Sequence, residues 1–169
     1  MAKPQSDARD LSEIIPNYSG YTVKDGRKKS DDSLRNTLVE KMDQTGNALQ
    51  KLRGKFQQQG KKELAGAVER IQNQLQTVSQ NLQVPAYSEE TFFDRETIPR
   101  NGLNKIHDYD RAMTEQAQTL LEEVQALESQ ESSEEALADF FNHLQDLLDG
   151  FNQNLMEREF IIASGGEEL

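Results

Sequence analysis

Four polar side chains in succession, His107, Asp108, Tyr109 and Asp110, form the densest run of titratable groups inside a stretch that otherwise follows a regular apolar repeat. An imidazole beside carboxylates suits proton transfer or metal ligation, and a carboxylate set into an apolar seam suits a perturbed acid. A plainer arrangement competes with this one. In it Tyr109 joins the stripe after Ile106, and Asp110 turns sideways toward a Lys or Arg of the first half of the chain. The plainer arrangement is the expectation, and the rest of the sequence supplies no chemistry to overturn it.

A di-iron or di-manganese centre in a helical bundle needs Glu-x-x-His on two helices. The residue three before His107 is Asn104, and the residue three before His143 is Phe140. With two histidines and no cysteine, thiolate or His/Cys zinc sites and cysteine nucleophiles are excluded as well. No glycine-rich phosphate loop, nucleophile elbow or Ser/His/Asp arrangement is legible, and Gly165-Gly166 falls in the tail. The expectation is a protein that is not an enzyme, with no catalytic residues, metal or cofactor.

The polar run sits on a stripe formed by Leu103, Ile106, Met113, Ala117, Leu120, Val124 and Leu127, spaced in threes and fours, with Asp110 in the one slot the pattern would have filled. Such spacing makes a long α-helix with one narrow apolar side, which needs helical partners. Three other segments supply them. Leu34, Leu38, Met42, Thr45, Leu49, Leu52 and Phe56 repeat as far as the break at Gly60, after a capping start at Ser30, Asp31 and Asp32. A new period follows at once through Leu64, Val68, Ile71, Leu75, Val78 and Leu82, ended by Pro85. The last begins at the cap Ser132 or Ser133 and runs through Leu137, Phe140, Phe141, Leu144, Leu147, Leu148, Phe151, Leu155 and Met156. Its wider apolar face marks it as the most buried helix.

The fold class is therefore all-α: an elongated antiparallel four-helix bundle of two hairpins, with helices at about 31–59, 61–83, 102–129 and 133–162. Residues 30–162 form the bundle. An irregular segment, 84–101, crosses between the hairpins, with Ser88–Phe93 suited to a short helical turn. Residues 1–29 form an extended, flexible arm, and 163–169 a disordered tail.

Charge is unevenly spread. The net charge is -11, yet residues 1–60 carry +3, residues 61–100 carry -1 and residues 101–169 carry -13. An acidic back half repels nucleic acid and attracts a basic protein surface. The basic hairpin tip of Lys51, Arg53, Lys55, Lys61 and Lys62 would suit a phosphate, but solvated cations at a helix end are the plainer account. The longest apolar run is three residues, too short to span a bilayer. Without such a span or a secretory leader, a soluble, cytoplasmic protein is expected.

Function follows from these exclusions as an expectation: a helical-bundle interaction protein serving as adaptor, regulator or assembly subunit. Its partner is another protein with a basic surface, and homo-oligomers through leftover apolar stripe are compatible with it. Candidate partner-binding residues are Tyr18, Tyr21, Arg27 and Lys28 of the arm and Phe92 and Phe93 of the crossing segment. The same residues suit packing over the bundle end, which is the favoured account of both segments. The alternative function is a bundle binding an apolar small molecule or cofactor in its core, lined by Phe140, Phe141, Phe151 and Met113.

Overall fold

The structure, a computed structural model, describes residues 11–85 and 92–167. Four long helices carry the fold: α1 (Lys24–Gln58), α2 (Lys62–Gln83), α3 (Arg100–Leu127) and α4 (Glu134–Ala163). No strand occurs among the described residues. The helix breaks fall where local chemistry placed them. Gly60 has a φ of +73°, and the Lys61 N–H donates back to the Phe56 carbonyl at 2.9 Å, closing the left-handed cap that ends α1. Ser133 starts α4, its side-chain oxygen accepting the Ala136 N–H at 3.2 Å.

The start of α1 differs from expectation by about two turns. Ser30 and Asp31 do not cap the helix; they are buried within it. Ser30 Oγ donates to the Gly20 carbonyl at 3.1 Å and accepts the Ser19 N–H at 3.0 Å, so it anchors the segment before the helix. Residues 11–23 are thus a strap folded against the bundle, with Leu11, Ile15, Tyr18 and Tyr21 all buried. The extended arm is corrected for these residues, because four apolar or aromatic side chains gain more from the bundle end than from water. Residues 1–10 of the arm lie outside the described residues.

The helices alternate in direction, and their packing order decides what the ends look like. The close pairs are α1 with α2, α1 with α3, α3 with α4 and α2 with α4. Within a hairpin neighbours run antiparallel, as the Gln116–Asn154 and Glu123–His143 bonds between α3 and α4 show. Between hairpins they run parallel: Lys41 meets Gln118, and Gln74 meets Asp149. Because α3 lies beside α1 and diagonal to α2, the link from Gln83 to Arg100 must cross the bundle end. That geometry explains its length. The expected turn at Ser88–Phe93 lies mostly outside the described residues.

Three irregular pieces therefore meet over one end: the strap, residues 92–99, and a turn after α4. This turn corrects the disordered tail as far as Glu167. Gly165 has a φ of +73°, the Gly166 N–H donates to the Ile161 carbonyl at 2.8 Å, and Arg95 Nη1 donates to the Gly165 carbonyl at 2.7 Å. Residues 168–169 lie outside the described residues. A Cβ at Gly102 would stand 2.0 Å from the Gly166 carbonyl oxygen. Gly102→Ala should therefore push the turn off α3 and cost about 1–3 kcal/mol. Gly54→Ala, with nothing within 4 Å, should instead stabilise α1 by about 0.5–1 kcal/mol. Urea unfolding of the two variants, read by helical ellipticity, checks the difference in sign.

The core runs the length of the rod, with Leu38, Leu49, Val68, Ile71, Ile106, Met113, Val124, Leu144 and Leu148 each at 0% exposure. Met156 departs from its expected place in the α4 seam and is 63% exposed, because the seam takes Leu155 and Arg158 instead.

Candidate functional site

The densest chemistry of the molecule lies under the strap, where α1, α3 and α4 all turn charged residues inward. The pattern of α4 leads to it: a step of three from Leu155 lands on Arg158, one turn before Ile162, so a guanidinium occupies a core position. Arg158 has 0% exposure. Its Nε donates to Asp110 Oδ1 at 2.5 Å, and its Nη2 donates to Asp31 Oδ1 at 2.6 Å and to the Tyr21 hydroxyl at 2.8 Å. Its Cζ also lies 5.8 Å from the centre of the Tyr21 ring.

Asp110 is likewise fully buried and occupies the vacant slot of the α3 stripe. Its Oδ2 accepts the Tyr21 hydroxyl at 2.6 Å and the Tyr18 hydroxyl at 2.8 Å, so the strap supplies two of its three side-chain partners. Burial pushes this carboxyl above the ordinary carboxylate range, and the Arg158 guanidinium and the two phenols draw it back only in part. Burial also pushes both phenols well above the ordinary tyrosine range, and the neighbouring Asp110 carboxylate adds to the effect. Tyr18 commits its only proton to Asp110. Its 3.4 Å contact with His107 Nδ1 therefore requires the imidazole proton on Nδ1.

The network continues into α1 and α2. Arg35 Nε donates to Asp31 at 3.2 Å, its Nη2 to Glu159 at 2.9 Å and its Nη1 to the Leu82 carbonyl at 2.8 Å. Two guanidiniums thus face three carboxylates and bridge both hairpins, an arrangement that this packing order of the helices makes possible. Beside it Arg27, 2% exposed, donates to the carbonyls of Tyr21, Phe92 and Arg95, and so ties the strap to residues 92–95. Burial lowers its pKa, opposed by Glu96.

This geometry reverses the plainer expectation at residues 107–110. Asp110 is the buried member, and its cation comes from α4 instead of the first hairpin. Tyr109 is half-buried at the flank, its hydroxyl donating to Glu157 at 2.6 Å. The partner-binding candidates also separate. Tyr18, Tyr21, Arg27, Phe92 and Phe93 are buried, at 3%, 3%, 2%, 0% and 7% exposure, so they hold the end cap together and offer no docking surface in this conformation. Lys28 remains exposed. Sequence reasoning missed Arg158, Asp31 and Arg35 as a set. The available signal was an arginine in the apolar register of one helix and an aspartate in that of another.

Phe141, Phe151 and Met113 are core residues at 2%, 1% and 0% exposure; Phe141 packs edge-on against Phe56 at 6.1 Å and against Phe140 at 6.2 Å. At the far end of the rod a groove of about 730 Å³ runs between the starts of α2 and α4, with Lys61, Lys62, Arg70, Glu134 and Phe141 in its walls. Among the described residues no three His, Asp or Glu side chains are grouped to hold a metal ion. No described helix is long and apolar enough to cross a membrane. The chain matches no protein-family model, no curated protein and no solved structure.

Proposed function

We propose that the protein is a non-enzymatic interaction module whose second hairpin presents an acidic surface to a protein with a basic one. The observation that carries this reading is the stretch from Ala112 to Glu157. It holds eleven Asp and Glu residues and no Lys or Arg. Ten of the eleven, all but the half-buried Glu123, are exposed along α3, α4 and the turn between them. Like charges held along a rigid rod raise the local potential and speed encounter with a cationic partner. The interior chemistry supports the same reading. Its ionisable groups are spent on one another, and Arg158, Asp110 and Asp31 have exposures of 0%, 0% and 2%.

The test is affinity purification with the full chain at low salt, run beside a variant in which Glu128, Glu131, Glu134, Glu135 and Asp139 become Gln or Asn. A partner should be recovered by the parent, released as ionic strength rises, and bound at least about tenfold more weakly by the variant. Failure to recover any partner at low salt, or recovery indifferent to both salt and neutralisation, overturns the proposal.

A further inference from the structure

We draw no further inference here: the strongest candidate, the groove of about 730 Å³ between the starts of α2 and α4 at the far end of the rod, joins the first turn of α2 to the exposed Lys62 and Arg70 beside Leu64 and Phe141, and nothing among the described residues shows what covers it.

Discussion

Replacing Arg158 with methionine is expected to destabilise the fold by about 3–5 kcal/mol, because it leaves two buried carboxylates facing a space without their shared cation. A domain of this size is stable by about 5–15 kcal/mol, so the variant should sit near the edge of folding at ambient temperature. Arg158→Lys should not rescue it. A single ammonium cannot reach Asp110, Asp31 and the Tyr21 hydroxyl at once, as the planar guanidinium does. The decisive comparison is a double-mutant cycle with Asp110→Asn. On the parent that change should cost about 1–3 kcal/mol, since it leaves Arg158 with one carboxylate fewer. On Arg158→Met it should instead recover stability, since the removed charge was uncompensated. Urea midpoints give both numbers, and a cycle that closes without coupling would show that the pair does not matter to the fold.

The second large effect is alkaline unfolding. The folded phenols of Tyr18 and Tyr21 are held far above the ordinary range by burial, and in the unfolded chain both ionise near pH 10, the reference value. The folded pKa is the raised one, so the stabilising contribution is complete below about pH 10 and is lost as pH climbs beyond it. Each pH unit above that point favours the unfolded chain by about 1.4 kcal/mol per phenol, or about 2.7 kcal/mol for the pair. Two units offset a stability of about 5 kcal/mol. Phenolate absorbance and helical ellipticity recorded together should show a component of the absorbance that appears only as the helix signal falls. Tyr18→Phe with Tyr21→Phe should remove that component. A full phenolate signal near pH 10 with the helices intact would mean that the strap does not bury these rings.

The expected loss of the strap explains why the two effects belong together. Tyr18 and Tyr21 reach Asp110 from residues before α1, and Arg27 holds the same strap to residues 92–95. Loss of Arg158 or ionisation of the phenols therefore loosens the cap where three chain segments meet.

Much of the architecture could be read from the residues in order. The threes and fours of Leu34–Phe56, Leu64–Leu82, Leu103–Leu127 and Leu137–Leu155 mark four helices, Gly60 and Ser133 mark two of their boundaries, and the charge of residues 112–157 marks the acidic hairpin. Each of these is a local property: periodicity reports which side of its own helix a residue occupies, and capping depends on neighbours a few positions away. What the helices bring together is another matter. Arg158 meets Asp110 across 48 residues of sequence and Asp31 across 127, and both contacts exist only because α1 and α3 lie side by side with α4 closing the square. The same packing order folded Tyr18 and Tyr21 inward and left Met156 in water. Periodicity fixes angles along one axis and says nothing of the order in which four axes pack, so the partners of a charge in the seam were decided by the tertiary structure alone.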